Sequence, residues 1–136
     1  MLRPAFVLAL AWAALGTAGC ARFREISACR AVVREVNGAM DEVQKLAEAS
    51  PVDEPRIARR YGDLAKALLP YSQGEAPLAV AVREYAAVVE STRAAVEAHA
   101  VAASTKGRTP EARRELDKVT KRERVAASRI ENECLH

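Results

Sequence analysis

Three cysteines, two histidines and one glutamate on an apolar stripe hold most of the reactive chemistry in this chain of 136 residues. A thiol can be acylated, oxidised to a disulfide or bound to a metal. Cys20, Cys29 and Cys134 stand too far apart in sequence for the Cys-x-x-Cys spacing that haem attachment and many metal sites use. Zinc could draw on Cys29, Cys134, His99 and His136, but only if both later thiols are free for it. No nucleophile stands at an interpretable spacing from a base, and no glycine-rich phosphate loop is present. No catalysis, cofactor or metal is therefore expected. His99 and Glu123 are singled out for another reason. Each is a polar residue on an otherwise apolar helical stripe, so it either sits at the edge of a core, pairs inside it, or marks a ligand site between facing helices.

The stretch that sets the compartment is Met1 to Cys20. One positive residue, Arg3, precedes an apolar run from Ala5 through Val7, Leu8, Leu10, Trp12 and Leu15, and the stretch closes on Gly16, Thr17, Ala18, Gly19 and Cys20. That order is the layout of a secretory signal peptide. The apolar run is about 14 residues against the roughly 20 that a membrane-spanning helix needs, so removal rather than a permanent span is expected. Its ending, Thr17-Ala18-Gly19-Cys20, resembles the lipobox of bacterial lipoproteins. Ala18, Gly19 and Cys20 match that pattern, while Thr17 stands where an aliphatic residue is commonest. The resemblance covers these 20 residues alone. It implies cleavage before Cys20, a thioether-linked diacylglycerol on its sulfur and usually an acylated amino group, so that acyl chains such as palmitate hold the protein to a membrane. Ala21 in place of Asp implies an outer-membrane address facing the periplasm. The alternative is an ordinary periplasmic or secreted protein cut near Ala18 or Ala21, with Cys20 free or removed.

Lipidation would also settle the cysteine arithmetic. With Cys20 consumed, Cys29 and Cys134 are left as a pair in an oxidising compartment, where a disulfide forms and persists. The other outcome is two unpaired buried thiols. Charge excludes a further class of partner. The signal holds one of the 21 basic residues and none of the 18 acidic ones, so the chain from Cys20 onward is close to neutral and nucleic acid is not expected.

Helices must position these residues. Glycine and proline are few and lie between periodic segments, and Ala, Val, Glu and Arg are abundant. From Arg22 to Ala49 a stripe at Ile26, Cys29, Val33, Val36, Met40, Val43 and Ala47 steps alternately by three and four. Gly38 in its middle reads as a site of close helix approach. Ser50-Pro51 ends the helix. Asp53, Glu54 and Pro55 suit the start of a second helix with Ile57, Tyr61, Leu64, Leu68 and Tyr71 on its stripe, stopped by Pro70. Ser72 and Glu75 have capping-box spacing in the next loop. The third helix is expected from about Ala76 to Thr105, with Leu78, Val82, Tyr85, Val89, Thr92, Val96, His99 and Ala103 inward and Ala81, Val88 and Ala95 widening the stripe. Gly107 fits the position just past its end. Thr109-Pro110-Glu111 reads as a helix start, and Ala112, Leu116, Val119, Glu123, Ala126, Ile130 and Cys134 form the fourth stripe. Arg114, Lys118, Lys121, Arg122 and Arg129 on its outer side are interleaved with acids and read as a solvated face.

Four amphipathic helices with short turns predict an all-α, antiparallel up-down-up-down four-helix bundle. In that order the fourth helix ends beside the start of the first, so Cys29 and Cys134 would meet at one end of the bundle and could close it as a disulfide. Turn geometry about residues 104–109 would set His99 near Glu115 or Leu116, and Glu123 near Ser91 or Thr92. The expected organisation is a signal peptide over 1–19, a lipid-anchored tether over 20–24 and a bundle domain over 25–136. The expected role is structural or protein-interacting, with the membrane, an envelope protein or a second copy of the chain as partner; a soluble bundle that holds a small ligand or client protein is the alternative.

Overall fold

A computed structural model describes residues 5–105 and 109–135 of the chain, and side chains from residue 19 onward. It is all-α: α1 spans Ala5–Glu48, α2 Glu54–Leu68, α3 Pro77–Ala103 and α4 Thr109–Leu135, with a single 3₁₀ turn at Leu69–Tyr71. Among the described residues no helix is long and apolar enough to cross a membrane. Gly107 and His136 lie outside the described residues, as do the side chains of residues 1–18.

Local chemistry accounts for most boundaries. Asp53 caps α2, its carboxylate accepting the Arg56 amide at 3.0 Å, and Glu54 supplies an acid to the first turn. Pro70 lacks the amide that another α-turn would use, and the chain tightens there into the 3₁₀ turn. The expected Ser72/Glu75 capping box does not form. Ser72 Oγ instead donates to the Leu69 carbonyl at 2.9 Å, and α3 starts later, at Pro77, after an extended Ala76 with no side-chain cap. Gly74 takes a φ of +89° in the intervening loop, which a side chain would resist. Arg83 Nη1 fastens that loop to α3 by donating to the Ser72 and Gly74 carbonyls at 3.0 and 3.1 Å. At the other end of α3, Thr109 is itself the first residue of α4, and its hydroxyl donates to the Ala102 carbonyl at 3.4 Å.

α3 is the central element, packed broadly against both α2 and α4, whereas α1 leans on α2 and meets α4 only narrowly. The deepest side chains are Val32, Leu64, Leu68, Val82, Tyr85, Val89 and Thr92. Ala58, Ala65, Ala81, Ala95 and Ala126 are buried between them and let helices approach closely. The expected inner residues of α2 and α4 face the core, and α3 departs only at its end, where Ala102 rather than Ala103 is buried.

α1 requires two corrections. Residues 20–24, expected as a tether, belong to the helix. The expected row holds at Cys29, Val36, Met40 and Val43, which are buried or partly buried against the core, but it is widened inward by Val32, Ala39 and Leu46 and not by Ile26, Val33 and Ala47; Ile26 is 46% exposed and Ala47 is exposed. Both edges repeat every seven residues, and contact with α2 selects the first. Gly38 is likewise no point of close approach, since a Cβ there would meet nothing within 4 Å. That role falls to Gly62 on α2, where a Cβ would stand 3.2 Å from Arg93 Cδ.

Candidate functional site

The cysteines divide as their arithmetic suggests. Cys29, in the second turn after Arg22, and Cys134, in the last turn of α4, are joined as a disulfide with Cα atoms 5.5 Å apart across 105 positions of sequence. Packing alone scarcely holds α1 to α4, so this bond is their principal link. With both sulfurs bonded to each other, neither can serve zinc, and among the described residues no group of three or more His, Cys, Asp or Glu side chains is arranged to hold a metal. Cys20 is a free, exposed thiol on the outer surface of α1.

Of the alternatives open for Glu123 the structure shows a buried carboxyl with partners, but those partners are not Ser91 and Thr92. Those hydroxyls bond back to the Ala87 and Val88 carbonyls of their own helix. Glu123 Oε1 accepts from the Tyr85 hydroxyl on α3 at 3.3 Å and Oε2 accepts from the Tyr61 hydroxyl on α2 at 3.5 Å, both long for an O–H···O bond. Three helices thus place one polar atom group each at a single point of an otherwise apolar interior. Burial raises the Glu123 carboxyl above its ordinary range because the charged form loses water; the two tyrosine bonds and the nearby Arg124 charge pull the other way without cancelling it. Burial beside that carboxylate also pushes both tyrosine hydroxyls well above their usual range. They therefore stay protonated donors at any physiological pH. Both oxygens of the glutamate are bonded within the protein, so the arrangement ties three helices together.

His99 also finds a partner that helix four does not supply. Its Nδ1 lies 2.8 Å from Oε1 of Glu54, the first residue of α2, so the end of α3 is pinned to the start of α2. The other oxygen, Glu54 Oε2, is buried and meets no hydrogen-bond donor among the described residues. His99 and Glu123 belong to separate places in the bundle: the structure does not bring them together. On the outer side of α4, Arg129 pairs with Glu84 of α3 and Lys118 lies 3.8 Å from Glu115, which fits a solvated face.

Sequence reasoning missed Tyr61, Tyr85 and Glu54 as polar partners. The signal was present in part, because a buried tyrosine hydroxyl needs an acceptor and Tyr61, Tyr85 and Glu123 all stand on inner stripes. Comparison with protein-family models, with curated proteins and with solved structures finds no match to this chain. Its function must therefore be argued from its own residues.

Proposed function

We propose that this is a lipid-anchored protein of the bacterial cell envelope, a disulfide-closed helical bundle with a structural or protein-interaction role and no catalysis. The observation that carries the reading is the division of the thiols: Cys29 and Cys134 are bonded to each other and Cys20 alone is free and exposed. A disulfide closing the fold suits an oxidising compartment, and the spared cysteine is the one that ends the lipobox-like stretch Thr17-Ala18-Gly19-Cys20. In this reading residues 1–19 are removed, acyl chains on Cys20 hold the chain in the outer membrane, and the bundle faces the periplasm. Two or three acyl chains, each gaining about 0.8 kcal/mol per buried CH₂, make that anchorage stable.

We also infer an up-down-up-down order for the helices. Three pairs support it: Glu42 with Arg60 between α1 and α2, Glu54 with His99 between α2 and α3, and Glu84 with Arg129 between α3 and α4. Each joins residues that a hairpin would bring level. The Tyr61, Glu123 and Tyr85 cluster then serves to hold α2, α3 and α4 in register.

Intact mass spectrometry of the protein isolated from envelopes tests the main reading. The expected species begins at Cys20, carries acyl mass on it and lacks two hydrogens for the Cys29–Cys134 bond. Palmitate labelling should vanish in Cys20→Ser and processing should stop in globomycin. A species cut at Ala18 or Ala21, or one with Cys20 unmodified, would instead leave a soluble periplasmic or secreted bundle. The chain's partner, whether an envelope protein or another copy, calls for crosslinking in intact cells.

A further inference from the structure

The buried row of α1 leaves a second row uncovered. Arg22, Ile26, Arg30 and Arg34 succeed one another at steps of four, and Phe23, Ile26, Arg30 and Val33 at steps of three, four and three, so these six residues share one face of the helix. Phe23 is 72% exposed and Ile26 46%, both large apolar side chains in water at the end of the bundle that holds the disulfide. Beside them a groove of about 840 Å³ opens between α1 and the end of α4, where Leu135 is 79% exposed. The acids near this face do not cancel it. Glu25 is exposed and lines the groove together with Glu133 of α4, so two carboxylates stand against the three guanidinium groups of Arg22, Arg30 and Arg34.

Aromatic and aliphatic side chains set among arginines on one face of a helix are what an anionic bilayer surface attracts: the apolar groups enter the boundary between headgroups and acyl chains, and the guanidinium groups meet the phosphates. Helix continuity supplies the reach. α1 runs unbroken through Cys20, so Ile26 lies only about 9 Å along the axis from the free thiol, comparable to the roughly 5–10 Å depth at which such faces bind.

We infer that the exposed face of α1 formed by Arg22, Phe23, Ile26, Arg30, Val33 and Arg34 docks on an anionic lipid surface, so that the bundle lies against the membrane and does not swing free on its anchor. This deepens the envelope reading and rests on it, because only an exported chain anchored at Cys20 meets the bilayer with this end. The contact is a second signal beside the acyl chains, of the kind that makes membrane attachment durable.

The test uses the protein as isolated from cells, in vesicles of phosphatidylcholine alone or with a third of phosphatidylglycerol, each with a trace of the same lipid carrying a diazirine in its acyl chain. Labelled residues are mapped by mass spectrometry, which reports the state of Cys20 in the same sample. The expected result is labelling at Phe23, Ile26 and Leu135 that is strong with phosphatidylglycerol, weak without it and suppressed in 0.5 M salt. Reversal of Arg22, Arg30 or Arg34 to Glu is expected to cut the yield roughly fivefold per site, with helicity and the disulfide checked in each variant. Labelling that ignores lipid charge, salt and these reversals overturns the inference, as does burial of the face in a dimer detected by chain-to-chain crosslinks. Acylated Cys20 with no labelling of the face sinks this inference and leaves the anchor standing. Labelling of the face with Cys20 unmodified overturns the anchor, and with it the inference that this face steadies an anchored bundle, while showing that the face itself takes lipid.

Discussion

α1 and α3 are both long amphipathic helices, yet the molecule holds them by different means. α3 is wedged between two neighbours, with Val82, Tyr85, Val89 and Thr92 almost wholly removed from water and its polar atoms tied to both α2 and α4. α1 offers Cys29, Val32 and Ala39 as its fully buried residues, packs chiefly on α2, and reaches α4 through one covalent bond. Small side chains bury little area, so the apolar contribution from α1 is modest. Where packing is thin, a crosslink takes over, and the two halves of the molecule should therefore fail differently.

The sharpest way to break the comparison is to remove the bond. Closing a loop across 105 positions stabilises by up to about 4.7 kcal/mol from loop-closure entropy, with about 2 to 4 kcal/mol typical of measured cases. Cys29→Ala with Cys134→Ala should therefore lower the urea midpoint by an amount in that range. More telling is where the loss falls. Hydrogen exchange of the amides of α1 should accelerate far more than that of α3, because α3 keeps its packing against α2 and α4. Equal acceleration in both helices would mean that the bundle opens as one unit and that α1 is held no differently from α3.

The polar cluster provides the next test, on the other half. Tyr85→Phe removes a donor from a buried carboxyl and should cost about 1 to 3 kcal/mol, a cost that grows with pH as the carboxyl ionises, since a bond to an ionised acceptor is the stronger one. The pH dependence has a definite sign. Burial raises the folded-state value of Glu123, so the native chain binds a proton where the unfolded chain, titrating near about 4.3, has released it. This contribution to stability is complete at acid pH and is lost as the pH rises through and above that value. In Glu123→Gln the slope from this group should disappear, read as urea midpoints across pH 4 to 8. A wild-type chain whose stability climbs over the same window, with a slope that Glu123→Gln does not alter, would show that this carboxyl is not the buried titrating group of the bundle.

The same contrast explains what could be seen in the sequence. The helices, the inner stripes of α2 and α4 and the place of Glu123 on one of them were legible, because 3.6-residue periodicity needs only the chain itself. The disulfide was legible once the first cysteine was assigned to lipid. Which edge of the α1 stripe faces inward was not: Ile26, Val33 and Ala47 on one side and Val32, Ala39 and Leu46 on the other are equally periodic, and only contact with α2 separates them. Partners across helices were hidden for a related reason. Pairing α3 with α4 about their turn gives no sight of α2, yet Glu54 and Tyr61 on α2 complete both polar clusters. The Ser72/Glu75 capping pattern failed because α3 starts only at Pro77, which leaves both residues in the loop ahead of the helix.

Two glycines carry the comparison to its smallest scale. Gly38 lies on the exposed side of α1 with open space where a Cβ would go, while the corresponding space at Gly62 on α2 ends at Arg93 Cδ, 3.2 Å away. In a helix interior, alanine is favoured over glycine by roughly 0.5 to 1 kcal/mol, because the unfolded chain has less freedom to lose. Gly38→Ala should therefore stabilise by up to about 1 kcal/mol, and it should slow exchange of α1 amides in particular. Gly62→Ala has the same intrinsic gain but must displace the Arg93 side chain, which Glu90 and Glu97 hold at 2.8 and 2.7 Å. Its net effect should fall below that of Gly38→Ala by the small cost of moving those two exposed pairs. If both alanines stabilise equally, Arg93 yields freely and the tight packing of α2 against α3 does not extend to this edge. If Gly38→Ala gives nothing, α1 is already as rigid as its neighbours, and the thin contact on that side of the bundle matters less than the buried areas imply.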